Sequence, residues 1–206
     1  MLFSKKAQAP GITASAALRL GFFICLACLL GTGVLLYAPA GRPVAALDGI
    51  TVYGNGFPLS SHGRNLTPDG YNIGLKYQCV EFVKRYYLQH YNHRMPDTYG
   101  HAFSFFDAAV PDGGLNQRRG LLQYKNGGKT LPQKGDILVF GRAWYNPYGH
   151  VAVVAKAEAD KVEYIQQNSF SAHASLSVVR RADGARAVRN KRLLGWLRMP
   201  AGGKDD

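Results

Sequence analysis

Residues 150–168 read HVAVVAKAEADKVEYIQQN, and this stretch decides the fold. Branched and aromatic residues recur on both sides of a small, polar segment near Ala159, the pattern of two strands joined by a short turn. With the turn centred there, position i pairs with position 318 minus i, so that Val154 faces Tyr164, Ala152 faces Gln166 and His150 faces Asn168. Directly opposed side chains share a face of an antiparallel pair, and so do residues two apart on one strand. Gln166 and Asn168 therefore stand beside His150. Either amide can accept the ring N–H and fix the tautomer, leaving the second ring nitrogen for another group. A slip of one residue would move both amides to the wrong face.

Further strands are expected at 136–140 (DILVF), 175–180 and 193–199 (LLGWLRM), each short and bounded by turn residues. Upstream, CVEFVKRYYLQHY (79–91) carries Val80, Val83, Tyr87 and Tyr91 at three- and four-residue spacing, with Phe82 and Tyr86 alongside. This spacing predicts a helix with a wide apolar face. A second helix is expected over 102–110, stopped by Pro111-Asp112-Gly113-Gly114. Residues 111–135 read mostly as loop, and 41–74 as loop with one strand near 50–53. Helices followed by an antiparallel sheet make an α+β fold.

A chain of 206 residues with 47% hydrophobic and 18% charged residues is too apolar for disorder and has the length of one domain. The run from Leu20 to Ala40 holds no charge and follows Lys5, Lys6 and Arg19. It is long enough to cross a bilayer, and the basic flank keeps the N-terminus inside. The organisation expected is a cytoplasmic tail (1–19), a transmembrane anchor or signal segment (20–40), a linker (41–47), a domain (48–200) and a short tail (201–206). The domain would stand outside the cytoplasm, on a bacterial inner membrane and facing the periplasm, or be secreted if the segment is cleaved. The net charge is +12, and +9 remains after the three basic residues of the first forty are set aside. Such a domain is drawn to anionic lipid or wall polymers, or else the charge forms a solvated face that serves solubility. No nucleic-acid motif is present, and nucleic acid is not expected as a partner.

Of three cysteines, Cys25 and Cys28 lie in the apolar run, so Cys79 is the only one in the domain. It opens the expected helix, where free N–H groups and the helix dipole favour a thiolate; the alternative is a small buried core residue. A thiol nucleophile needs a base, and His150 with an amide orienter supplies a Cys-His-Asn arrangement. Gln78 either donates to an oxyanion together with the Cys79 N–H or packs a loop. Glu81 and Arg85 stand four apart on the helix and can pair. His90 and His93 lack a third ligand nearby, so no metal site is expected.

Five segments, YQCVEFVKRYY (77–87), LPQKGDILVF (131–140), GHVAVV (149–154), IQQN (165–168) and LLGWL (193–197), occur in the order found in the CHAP domain, the cysteine- and histidine-dependent amidohydrolase/peptidase family. Among its members the chain most resembles the amidase domain of glutathionylspermidine synthetase/amidase, over roughly residues 48–199. The resemblance implies a papain-like fold of the NlpC/P60 type, with N-terminal helices packed on an antiparallel sheet. It implies Cys79 as nucleophile, His150 as general base, and Gln166 and Asn168 at the orienting positions, where the amidase relatives usually have an acidic residue followed two places later by Asn. It implies no cofactor. The acidic loop that binds calcium in some phage lysins of this family is represented here only by Asp69, so no metal is expected. The reaction implied is hydrolysis of an amide through a thioester. Peptidoglycan peptides are the substrate expected outside the inner membrane. A polyamine amide and a non-catalytic wall-binding module are the alternatives.

Overall fold

In a computed structural model, the structure describes residues 37–182 and 184–201. Two strands, β1 (Pro43–Leu47) and β2 (Ile50–Tyr53), form a hairpin, and β3 (Arg64–Leu66) with β4 (Asn72–Leu75) forms a second. Helix α1 (Cys79–Tyr91) follows, then a single 3-10 turn at Ala102–Phe105. The remaining strands are β5 (Gly114–Asn116), β6 (Leu121–Lys125), β7 (Ile137–Phe140), β8 (His150–Ala157), β9 (Lys161–Ile165), β10 (His173–Arg180), β11 (Arg186–Val188) and β12 (Leu193–Arg198). They make one antiparallel sheet in the order β11-β10-β9-β8-β7-β12-β6-β5.

The central strands are buried on both faces, and strand alternation divides their side chains into two clusters. Ile137, Val139, Val151, Val153, Ile165 and Leu197 pack with Phe82, Val83, Tyr86 and Tyr87 of α1. Leu138, Phe140, Ala152, Val154, Tyr164 and Trp196 form the second cluster. The helical spacing read from the sequence therefore points at the sheet: Phe82, Val83, Tyr86 and Tyr87 have no exposed surface. The glycine of LLGWL is required by close packing. Strand β12 runs between β7 and β6, and a Cβ on Gly195 would collide with the Tyr124 carbonyl.

Several expectations need correction. The second helix at 102–110 is one 3-10 turn, because its backbone groups are taken by distant amides. Asn116 Nδ2 donates to Phe105 O at 3.0 Å, and Gln123 exchanges two hydrogen bonds with the Asp107 main chain at 2.9 and 2.7 Å. The segment expected to be mostly loop at 111–135 contains β5 and β6, and β1 occupies residues 43–47 of the expected linker. Residues 37–40, assigned to the apolar span, are irregular and hydrogen-bonded into the domain, with Gly56 N–H donating to Ala38 O at 2.9 Å and Arg42 N–H to Pro39 O at 3.1 Å. The rest of the expected span, 20–36, lies outside the described residues. Among the described residues no helix is long and apolar enough to cross a membrane.

Candidate active site

The β8–β9 register follows the sequence reading where the strands leave the cleft. Val153 pairs with Ile165 and Val154 with Tyr164, both on the 318 sum. A bulge between Val154 and Lys156 then shifts the pairing by one toward the turn. Strand β9 ends at Ile165, so Gln166, Gln167 and Asn168 leave the ladder and reach three different targets.

Gln166 orients the histidine. Its Oε1 lies 2.9 Å from His150 Nε2, and its own Nε2 donates to Ser171 O at 3.0 Å. The second bond fixes which way the amide faces, so the oxygen must accept from His150 Nε2–H. The proton is thus held on Nε2, and Nδ1 is left unprotonated, able to accept. Asn168 does a different job. With a φ of 58° it turns in the left-handed region, its Nδ2 donates to Gln78 Oε1 at 2.5 Å and to Pro58 O at 2.9 Å, and its Oδ1 accepts from Asn55 Nδ2 at 3.1 Å. Of the two amides left open by the sequence, Gln166 meets the imidazole and Asn168 anchors the residue before Cys79.

Gln167 escaped the sequence reading. It points to the opposite face from its neighbours and is completely buried. Its Nε2 donates to Gln78 O at 3.0 Å and to Glu81 Oε2 at 2.8 Å, and its Oε1 accepts from Tyr53 N–H at 2.8 Å. Glu81 also accepts from Asn65 Nδ2 at 2.8 Å and pairs with Arg85 Nε at 2.6 Å, while Arg85 Nη1 donates to Thr51 O at 2.8 Å. The i,i+4 pair is therefore buried structure. It binds the first turn of α1 to β2 and to the exit of β9, so the strand that orients His150 also holds the start of the cysteine helix.

Cys79 is a free, buried thiol at the first position of α1. Burial pushes its pKa up, against the backbone N–H groups of Val151, Val80 and Cys79 itself, which favour the anion. Burial thus opposes the thiolate that a helix start favours. The Val151 contact sets the sulfur beside the residue that follows His150. Burial holds His150 down to about 4; the Gln166 hydrogen bond opposes that shift, and the Arg192 charge adds to it. At neutral pH the arrangement is thus a thiol and a neutral imidazole. The side-chain amide of Gln78 donates to Ser60 O at 2.9 Å and to Pro58 O at 3.4 Å, so in this conformation it fastens the 58–60 loop. The donor it leaves for an oxyanion is the Cys79 backbone N–H.

Cys79, Gln78, His150, Gln166 and Asn168 all line one cleft of about 1050 Å³. Gly149 also lines it. It has a φ of 71°, and a Cβ there would stand 2.6 Å from Phe140 O and 2.9 Å from Phe103 N. Phe140 is the partner of His150 in the sheet, so Gly149→Ala must displace the histidine or its strand. We expect that variant to lose activity at least tenfold more than its change in urea midpoint explains; equal losses in both would show that the glycine serves stability alone.

Asp69, the acidic residue before the cysteine, pairs with Arg94 at 2.5 Å. Among the described residues no three His, Cys, Asp or Glu side chains gather as a metal-holding group.

A cysteine at the start of α1 and a histidine at the start of β8 thus line one cleft beside the sheet, and comparisons with known proteins bear on what this arrangement is. Residues 69–168 match the family model of the CHAP domain. It is similar to the bifunctional glutathionylspermidine synthetase/amidase of Escherichia coli (strain K12), at 29% identity over 139 residues, covering 66% of this chain and 22% of that protein. It is also similar to trypanothione synthetase of Crithidia fasciculata, at 26% identity over 119 residues, covering 58% of this chain and 18% of that protein. The chain thus spans about a fifth of the length of the curated relatives it matches. Among solved structures, the wild-type endolysin LysIME-EF1 aligns with a TM-score of 0.37 at 21% identity, covering 67% of this chain and 58% of that one.

Proposed function

We propose that this protein is a thiol amidase or endopeptidase of papain-like design that cleaves amide bonds in peptidoglycan peptides outside the cytoplasm. One observation carries the reading: the only cysteine of the domain and a histidine whose tautomer is fixed by Gln166 line the same cleft. The Cys79 thiol gives its proton to His150 Nδ1 as sulfur attacks the amide carbonyl. The Cys79 N–H steadies the oxyanion, the C–N bond breaks, and the imidazolium returns the proton to the leaving amine. Water then attacks the thioester, with its proton passing through His150 to sulfur, and a carboxylic acid leaves.

The curated relatives favour a second reading, hydrolysis of a polyamine amide, since one is named a glutathionylspermidine synthetase/amidase. The charge of the cleft speaks against it: its described lining includes Arg64 and Arg192 and no Asp or Glu. A cationic leaving group would find no counter-ion there. The test is to incubate the full chain with isolated peptidoglycan sacculi and, separately, with glutathionylspermidine, and to follow new amines by mass spectrometry. Release of muropeptide fragments, with the fragment masses naming the bond, is expected. Release of spermidine without muropeptides would overturn the substrate proposed.

The pH profile carries a sign. His150 acts as a base only when neutral, so kcat/KM should hold down to the imidazole pKa and fall as pH drops through about 4. Gln166→Glu restores the carboxylate usual in the amidase relatives. A negative charge at hydrogen-bond distance favours the imidazolium and should raise the acid limb by about 1–3 pH units. An acid limb that stays in place would mean that His150 does not govern it.

A further inference from the structure

We propose that Arg192 binds a free carboxylate of the substrate on the His150 side of the cleft and so selects anionic peptides, an inference that rests on the hydrolase reading above. Arg192 lies in the turn before β12, lines the cleft and is half-buried. Its Nε and Nη2 donate to Gly141 O at 3.3 and 3.1 Å, and its Nη1 donates to the Tyr145 hydroxyl at 2.7 Å. A guanidinium has five N–H donors. Three are engaged, which leaves one on each terminal nitrogen to donate to a carboxylate.

The charge of Arg192 has no acidic partner among the described residues. The contrast with two other arginines is informative. Arg85 pairs with Glu81 and Arg198 with Asp136, both through buried carboxylates. Arg192 is held instead by a carbonyl, a hydroxyl and a ring whose centroid is 5.3 Å away, with no carboxylate among these partners. A side chain already fixed gives up little rotamer freedom when a ligand arrives. Arg64, from β3, adds a second positive charge to the same cleft. The link to chemistry is direct, because the Arg192 charge reaches His150 and disfavours its protonated form. A carboxylate seated on Arg192 cancels that charge, so a bound anionic substrate makes the imidazole a more willing proton acceptor.

The test uses the full chain and two synthetic stem peptides of one sequence, one ending in a free carboxylate and the other in a carboxamide. The wild type should prefer the acid by about tenfold in kcat/KM, the scale of one charge-assisted contact. Arg192→Gln should remove the preference, chiefly through KM of the acid, and Arg192→Lys should restore part of it. Equal turnover of acid and amide by the wild type, or a preference that survives Arg192→Gln, would overturn the proposal. Calorimetric titration of the Cys79→Ala protein with the same peptides, with and without Arg192→Gln, separates binding from chemistry. Arg192-dependent preference in binding without cleavage of either peptide would sustain the carboxylate site and sink the hydrolase reading. Cleavage without that preference would do the reverse.

Discussion

Cys79→Ala should lower hydrolysis of a peptide amide by at least about 10⁴-fold while leaving the denaturation midpoint close to that of the wild type. The expectation follows from position. The sulfur stands at the first turn of α1, among the backbone N–H groups of Val151, Val80 and Cys79. No second cysteine in the described residues can take its place. Loss of the side chain removes only a small volume from a site that already opens on the cleft. His150→Ala should cost on the order of 10³-fold, within the range for a positioned general base. Resting chemistry differs from a preformed ion pair. Burial raises the thiol and lowers the imidazole, so alkylation of free enzyme by iodoacetamide should be slow at neutral pH and accelerate on the alkaline side. Turnover should already be full at neutral pH, because the proton moves to His150 only as sulfur attacks. If turnover instead rises in parallel with thiolate formation, the neutral resting pair is wrong.

The second large effect concerns stability. Arg85→Met should destabilise the fold by roughly 3–5 kcal/mol, read from urea denaturation, because it strands the buried Glu81 carboxylate. Glu81 is 2% exposed and Arg85 7%, so neither reaches water easily. The arginine also holds Thr51 O, and the carboxylate also holds Asn65 and Gln167. The loss should therefore spread to the cleft: Gln167 keeps Gln78 in place, and Gln78 precedes Cys79. A variant that unfolds at the wild-type midpoint would show that the pair is not part of the scaffold. Exposed pairs such as Lys156–Glu158 should contribute far less.

How far these features can be read from sequence depends on their range. The apolar spacing of 79–91 names its own buried face, and the alternation of 150–168 names its own register, because both are local periodicities. The register survives to Val153–Ile165 on the cleft side, enough to put Gln166 within reach of His150. What alternation cannot give is the point where a strand ends. Asn168 leaves the ladder through a left-handed turn and bonds Gln78 instead of the histidine. Gln167 reads as a spacer between two interesting amides. Its partners Arg85 and Tyr53 lie 82 and 114 residues away, and no local pattern announces them. The expected second helix fails for the same reason, since Asn116 and Gln123 compete for its backbone. The thiolate expected at a helix start neglects burial, a quantity fixed by the whole fold.

The central claim is a thioester on Cys79, and interception by hydroxylamine tests it most directly. The full chain is allowed to cleave a peptide substrate at rising hydroxylamine concentrations, with the Cys79→Ala protein as control. If the thioester forms, the acyl half should appear increasingly as its hydroxamate, while Cys79→Ala yields none. Release of the amine accompanied only by free acid, at every hydroxylamine concentration, would mean that water attacks the amide directly and that Cys79 is not the nucleophile.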